Sequence, residues 1–372
     1  LSYLLTYRKS LLIADQKEYI ASITGLILNV VSYLAIILLV TWEQNYLLAL
    51  GIGTVTEVVL NIWISWYVEQ KYPFLRQRRK EKSTSSLTKR IVRDLKSLFI
   101  SRISEKMLYC TDNLIISGFI GVGTVGRYAN YCMITQAISN ILTILANTIQ
   151  PTVGDYFTEK NRQRNYEILR QLTFGFFCIA SVVSVGLFSL ITPFVRDIWL
   201  GPSYELGWGI TVFCIVVLLV RIMGLPLSLV MGVTGLFEKE KNVGASSALL
   251  NLIVSLALVK PYGMAGVLLG TLLSYLLQIL YRYIIYFRDF LEMPGEALRY
   301  AQDIGEYLAV IAGEVLLMQK IVPLIYGAGG MLLFCVCFLL CIAIPLLLDL
   351  VIFGRGWRLQ SIVTMVKGMR KA

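Results

Sequence analysis

Residues Gly207–Met231 read GWGITVFCIVVLLVRIMGLPLSLVM, and Arg221 is the only charged side chain among these 25 residues. A helix needs about 20 mostly apolar residues to cross the hydrocarbon core of a bilayer, so this stretch is predicted to be a transmembrane helix. The rest of the chain has a similar composition, since 57% of its 372 residues are hydrophobic and only 15% are charged. A soluble domain carries about 25% charged residues. The composition and the mean hydropathy of +0.70 therefore predict a membrane protein.

Ten segments meet the same criterion of length and hydropathy. They are Ile20–Thr41, Tyr46–Tyr67, Leu98–Ile120, Thr124–Ile149, Leu172–Phe194, Gly207–Met231, Val243–Val259, Gly263–Phe287, Ile304–Ile325 and Met331–Phe353. We therefore predict an all-α, polytopic membrane protein with about ten transmembrane helices.

The connections between these segments carry lysine and arginine unequally. Alternate connections, counted from the N-terminus, hold 27 of the 34 Lys and Arg residues, ten of them between Lys71 and Lys96. The opposite connections hold only Arg196, Lys260 and Lys320. Because positively charged loops stay in the cytoplasm, both ends of this chain are predicted to be cytoplasmic, in a multi-pass cell-membrane protein. The net charge of +11 thus reflects membrane orientation and does not indicate a nucleic-acid partner.

An internal repeat relates the first two segments to two later ones. In each copy a Lys-Glu pair is followed, twelve positions after the Lys, by an Asn, and the next helix contains a Gly-Thr pair. The copies are Lys17-Glu18, Asn29 and Gly53-Thr54, and then Lys239-Glu240, Asn251 and Gly270-Thr271. This order in successive helices indicates duplication into two pseudo-symmetric lobes, as in transporters built from parallel repeats. If each lobe has six helices, four helices, on the order of 120 residues, are expected before Leu1.

The repeat and the basic linker predict four regions. Residues 1–70 are the last two helices of an incomplete N-terminal lobe, and residues 71–97 are a basic cytoplasmic linker between the lobes. Residues 98–290 form a six-helix C-terminal lobe. Residues 291–372 contain two additional transmembrane helices and a basic cytoplasmic tail.

Three stretches of sequence carry a family resemblance. They are YRKSLLIADQKEYI at Tyr7–Ile20, DNLIISGFIG at Asp112–Gly121 followed by VGRYANY at Val125–Tyr131, and TGLFEK at Thr234–Lys239. In this order they resemble the polysaccharide flippases of the multidrug/oligosaccharidyl-lipid/polysaccharide exporter superfamily. The resemblance implies two six-helix lobes with a further helix pair. It also implies translocation of lipid-linked oligosaccharides across the cytoplasmic membrane, by alternating access, for cell-surface polysaccharide biosynthesis. The implied partners are polyprenyl-pyrophosphate-linked sugars and membrane lipid, with polysaccharide assembly enzymes as candidate protein partners.

Two arginines are candidates for binding the anionic head group. Ionisable side chains within spans cost roughly 2.5–3.5 kcal/mol each on insertion and usually face a cavity. Arg102 and Arg221 are suited to phosphate because the guanidinium donates two parallel hydrogen bonds. No Asp or Glu stands within four positions of Arg221, and Pro226 follows five positions later. We therefore predict that Arg221 has a functional role.

A polar stripe on the segment Thr124–Ile149 adds Asn140 and Asn147 as candidate sugar-binding residues, although uncharged polar stripes also join helices to one another. Acidic residues within spans are candidates for ion coupling. They are Glu57, Glu105 and Asp112. Arg102 and Glu105 are also spaced to form a local ion pair, and Glu57 could instead pair with a neighbouring arginine.

Three other functions are compatible with parts of this sequence. A cation-coupled multidrug exporter of the same superfamily would share the fold and is expected to have a more acidic lumen. A membrane-embedded glycosyltransferase or polymerase would need a chemical centre, and the chain has no His, no metal-binding pattern and no large outer loop. A structural scaffold would not explain Arg221. We predict a transporter without enzymatic activity, cofactor or metal.

Overall fold

The computed structural model describes residues 8–15, 17–43, 45–73, 110–157, 161–234, 236–327 and 329–354. All regular secondary structure in these ranges is helical, which confirms the predicted all-α class. Nine helices within them are long and apolar enough to span a membrane. The predicted segment Leu98–Ile120 lies mostly outside the described residues, and its described end is helical at residues 110–119.

The chain divides into two compact units at residue 87. The first unit contains helices α1 (Lys9–Ala14), α2 (Glu18–Glu43) and α3 (Tyr46–Lys71). Asn45 begins α3, because its side-chain oxygen accepts hydrogen bonds from the backbone N–H groups of Leu47 and Leu48. Asparagine is among the preferred residues for capping the free N–H groups at a helix start.

Helix α1 packs on α2 and α3, and an arginine just before its first residue joins it to α3. One guanidinium nitrogen of Arg8 donates to Ser65 Oγ at 2.8 Å and to Glu69 Oε2 at 3.0 Å, both on α3. Below these polar contacts, Leu12 is completely buried against α2 and α3. Arg8 and Leu12 both belong to the first stretch of the family resemblance, so that stretch stabilises the packing of α1.

The turn between α1 and α2 is held by a second polar group. Asp15 accepts hydrogen bonds from Lys17 and from the Tyr72 hydroxyl beyond the end of α3. These two hydrogen bonds, that from Lys17 first, hold the pKa of Asp15 below its usual value. The carboxylate therefore stays ionised and ties the start of α2 to the end of α3.

The second unit contains eight described helices. They are α4 (residues 110–119), α5 (Val122–Tyr156), α6 (Arg162–Pro193), α7 (Trp208–Val233), α8 (Phe237–Tyr262), α9 (Met264–Ile284), α10 (Pro294–Tyr326) and α11 (Met331–Phe353). A π-helical turn extends α6 over Phe194–Trp199 and another extends α9 over Ile285–Leu291.

Helix α6 is central to this unit, since it contacts α7, α10 and α11. An aromatic cluster joins it to the last two helices. The Phe177 ring stacks on Tyr307 of α10 with centroids 4.5 Å apart, and meets Phe353 of α11 edge-on at 5.5 Å. The two C-terminal helices thus share one hydrophobic core with α6. The regions proposed from the sequence, with a boundary at residue 290, stay a prediction.

Two helices start about ten residues earlier than their hydrophobic segments. Helix α6 begins at Arg162 and α10 at Pro294, before the predicted Leu172 and Ile304. Their starts have local signals, because Asn161 caps α6 by accepting from Arg164 N, and Pro294 occupies the first position of α10. Hydropathy detects only the apolar part of a helix, so it misses polar turns beyond the bilayer core.

Helices α8 and α9 approach each other closely through small residues. A Cβ on Gly270 would overlap Ser255 Oγ and lie 3.1 Å from the Ser255 backbone nitrogen. Ser255 in turn donates to the backbone carbonyl of Val267 at 3.3 Å. Small residues allow backbones to approach in this way in membrane helix pairs.

We expect Gly266→Ala to destabilise the protein. The added Cβ would overlap the carbonyl oxygen of Leu258 and lie 2.6 Å from its carbonyl carbon. Overpacking of this kind costs about 1–3 kcal/mol. Gly186→Ala in α6 is the matched control, because its Cβ would meet nothing within 4 Å. Thermal unfolding of the purified variants measures the difference, and equal melting temperatures would contradict tight α8–α9 packing.

Candidate functional site

A cavity of about 300 Å³ lies within the second unit. Four helices contribute to its wall. Asp112 comes from α4, Gln136 from α5, Arg221 from α7, and Thr271 and Tyr275 from α9. Two residues singled out in the sequence for different reasons, Arg221 and Asp112, therefore lie in the wall of the same cavity.

Arg221 is half-buried near the middle of α7. Its guanidinium carbon lies 5.4 Å from the centroid of the Tyr275 ring, so a cation–π contact with α9 orients the side chain. The helix continues through Pro226. Because proline has no N–H, the carbonyl of Ile222 lacks its usual helical hydrogen bond. The positive charge and this carbonyl make the middle of α7 polar within an otherwise apolar span.

Asp112 is 5% exposed and joins three helices through hydrogen bonds. The Thr271 hydroxyl donates to Asp112 Oδ2 at 2.7 Å, and the Asn251 amide of α8 donates to Asp112 Oδ1 at 3.4 Å. Asn251 also donates to Thr271 Oγ1 at 2.9 Å. The side-chain oxygen of Asn251 is buried and has no hydrogen-bond partner among the described residues. The cluster therefore combines a carboxylate, a hydroxyl and an unsatisfied amide oxygen.

Sequence reasoning did not assign Asn251 and Thr271 to this site. Both were visible as repeat positions, and the repeat was interpreted only as duplication. Their counterparts in the first copy, Asn29 and Thr54, are exposed within the first unit. The two copies thus share a sequence pattern. In the described residues, the Asn and Thr of the second copy contact the buried carboxylate of Asp112.

The two candidate residues of the polar stripe on α5 differ in their distance from the cavity. The Gln136 amide, in the cavity wall, donates to Asn140 Oδ1 at 2.7 Å, which places Asn140 next to the cavity. Asn147 lies about two turns further along α5, is exposed, and does not belong to the cavity wall. Its predicted role in substrate binding has no geometric support from this cavity.

The other predicted site residues lie elsewhere in the chain. Glu57 is exposed on α3 in the first unit, and its backbone carbonyl accepts a hydrogen bond from the Asn61 side chain at 2.8 Å. Arg102 and Glu105 lie outside the described residues. Their proposed ion pair and their proposed roles stay predictions.

Residues 1–157 match the family model described as "Polysaccharide biosynthesis protein". Over that length, less than half of the chain, the sequence is similar to this family. The match includes Tyr7–Ile20 and Asp112–Tyr131, two of the three stretches that carried the resemblance, and it supports that resemblance.

A solved structure shares the fold of this chain. The chain is similar to "Lipid II flippase MurJ, inward closed conformation" with a TM-score of 0.63 and 16% sequence identity. The similarity covers 95% of this chain and 71% of the MurJ chain. At this identity the likeness concerns the fold, and it confirms a multi-pass helical membrane protein. No curated protein matches the sequence.

Proposed function

We propose that this protein translocates a lipid-linked oligosaccharide across the cell membrane for polysaccharide biosynthesis, by alternating access between two lobes. The observation that supports this most directly is the cavity that brings Arg221 and Asp112 together within the membrane-spanning helices. The match of residues 1–157 to a polysaccharide biosynthesis family model and the fold shared with a lipid II flippase support the same proposal. The distribution of Lys and Arg supports cytoplasmic ends for the chain.

The chemistry of a polyprenyl-pyrophosphate sugar explains why such a cavity is useful. The prenyl tail can stay in the lipid, whereas the anionic head group must cross about 30 Å of hydrocarbon. Arg221 supplies a cation whose planar guanidinium can bind phosphate oxygens through two parallel hydrogen bonds. The cavity is at the small end of the range of ligand pockets, about 300–1,000 Å³, so it would hold part of the head group at a time.

The Asp112 cluster is proposed to couple this transport to a cation. Carboxylate, hydroxyl and amide oxygens are the ligands that hard cations prefer. A bound cation would also satisfy the buried oxygen of Asn251, which has no hydrogen-bond partner in the described part of the chain. Since Asp112 and Arg221 belong to one cavity wall, cation binding and head-group binding could influence each other directly.

Reconstitution into vesicles tests the proposed function against its alternatives. The protein, expressed from its complete coding sequence, would be supplied with a fluorescent polyprenyl-pyrophosphate sugar, and a membrane-impermeant quencher would report which leaflet holds the label. We expect protein-dependent translocation of this lipid and no efflux of an organic cation dye. Dye efflux without lipid translocation would favour a multidrug exporter. Chemical elongation of the sugar would favour a glycosyltransferase or polymerase.

A further inference from the structure

Two acidic side chains are buried together away from the cavity, where α10 and α11 pack on α6. Glu314 of α10 is 3% exposed and Asp349 of α11 is 4% exposed. Ser181 of α6, which is fully buried, donates a hydrogen bond to Glu314 Oε2 at 2.6 Å. The carboxyl of Asp349 lies close enough to Glu314 and Ser181 for both to act on it electrostatically. Three helices therefore meet at a pair of carboxyl groups.

Three of the four oxygens of this pair make no hydrogen bond. Glu314 Oε1 and both carboxyl oxygens of Asp349 are buried and have no partner among the described residues. No Lys or Arg of the described part of the chain forms an ion pair with either group. Among the described residues, Cys178 of α6 is a further titratable side chain near both carboxyls.

Such an arrangement is unfavourable if both groups are ionised. Each buried, unsatisfied acceptor costs about 1–3 kcal/mol, and two adjacent carboxylates also repel each other. One proton reduces both costs, because it removes a charge and turns an unsatisfied acceptor into a donor. A divalent metal fits less well, since the described residues contain no group of three or more His, Cys, Asp or Glu suited to hold one.

We propose that Glu314 and Asp349 form a proton-binding site between α6, α10 and α11, in which one proton is shared by the two carboxyl groups. The site is separate from the transport cavity, whose wall comes from α4, α5, α7 and α9, and does not depend on the function proposed for that cavity. Loss of the proton would place two negative charges between the C-terminal helices and α6. Proton occupancy therefore controls how firmly α10 and α11 pack on α6.

Infrared spectroscopy of the purified full-length protein tests for the proton directly. At neutral pH, the spectrum should contain the carbonyl band of a buried, protonated carboxylic acid. The band should be absent from the double variant Glu314→Gln/Asp349→Asn, which keeps the side-chain shapes and removes the acids. Asp303→Asn is the matched control, because Asp303 is also buried on α10 but forms a bidentate ion pair with Arg170 at 2.7 and 3.1 Å. Its replacement should leave the band unchanged.

Thermal unfolding at a series of pH values gives a second measurement. The melting temperature of the unmodified protein should fall as rising pH removes the proton. The melting temperature of the double variant should not show this fall. Size-exclusion chromatography and circular dichroism would verify that the double variant is folded. Identical infrared spectra for parent and double variant would overturn the proposal. A sodium-dependent rise in melting temperature that only the parent shows, without the carboxylic acid band, would also overturn it and assign a bound metal cation instead.

Discussion

Replacing Arg221 with alanine should reduce translocation of the lipid-linked sugar roughly ten- to hundred-fold, while the protein still inserts into the membrane. The expected size follows from losing a hydrogen-bonded charge, which contributes about 1.5–3 kcal/mol, and from about 1.4 kcal/mol per tenfold change. Lysine should retain partial activity, because it keeps the charge but lacks the planar fork. Glutamate should be at least as harmful as alanine. Complementation of a flippase-deficient strain, with membrane abundance measured alongside, provides the readout.

Two control variants test whether Arg221 itself binds the head group. One removes a different arginine, and the other changes the tyrosine that contacts Arg221. Arg288→Ala removes a guanidinium whose side chain is 75% exposed and pairs with the adjacent Asp289, so little effect is expected. Tyr275→Phe keeps the aromatic ring beside Arg221 and should also retain function. If Arg221→Ala complements fully at parental abundance, Arg221 is a structural residue and the proposal of a cationic cavity loses its main support.

Replacing Asp112 with asparagine should remove the dependence of translocation on an imposed cation gradient and lower its rate about tenfold or more. Asparagine has nearly the same shape but no negative charge, so it can still accept from the Thr271 hydroxyl while binding a cation more weakly. Transport into vesicles with imposed sodium or proton gradients measures the coupling. Melting temperature measures whether the packing of α4 on α8 and α9 is retained.

Variants of α9 provide the matched comparison for the Asp112 cluster. Thr271→Val removes the hydroxyl that donates to Asp112 and should weaken cation dependence. Ser274→Ala, one turn later on the same helix, removes a buried hydroxyl that donates only to the carbonyl of Gly270 at 2.9 Å, and should leave coupling intact. Unchanged gradient dependence in Asp112→Asn would instead identify Asp112 as a structural link between helices.

The transmembrane segments could be predicted from sequence because the property that defines them is local. Each apolar residue lowers the free energy of inserting its own helix into the membrane. A run such as Gly207–Met231 can therefore be recognised as a transmembrane helix without reference to the rest of the chain. The same reasoning identified Arg221 and Asp112 as charges that lipid would not tolerate. It could not say which of these charges share a site.

Helical periodicity was also a limited guide to the contacts of the polar stripe on α5. It groups Asn140 and Asn147 on one face, but the face of a helix does not reveal what packs against each turn of it. The structure connects Asn140 to the cavity through Gln136, and does not place Asn147 there.

Contacts between distant helices were decided only by the tertiary structure. Thr271 bonds to Asp112 across 159 positions, and Ser181 bonds to Glu314 across 133 positions. Hydropathy and spacing determined that this chain forms membrane-spanning helices, and the repeated Asn and Gly-Thr positions indicated which helices are related. Only the packing of those helices could bring Asp112, Asn251 and Thr271 together, because a hydrogen bond depends on distances of about 3 Å between side chains that no local pattern in the sequence relates.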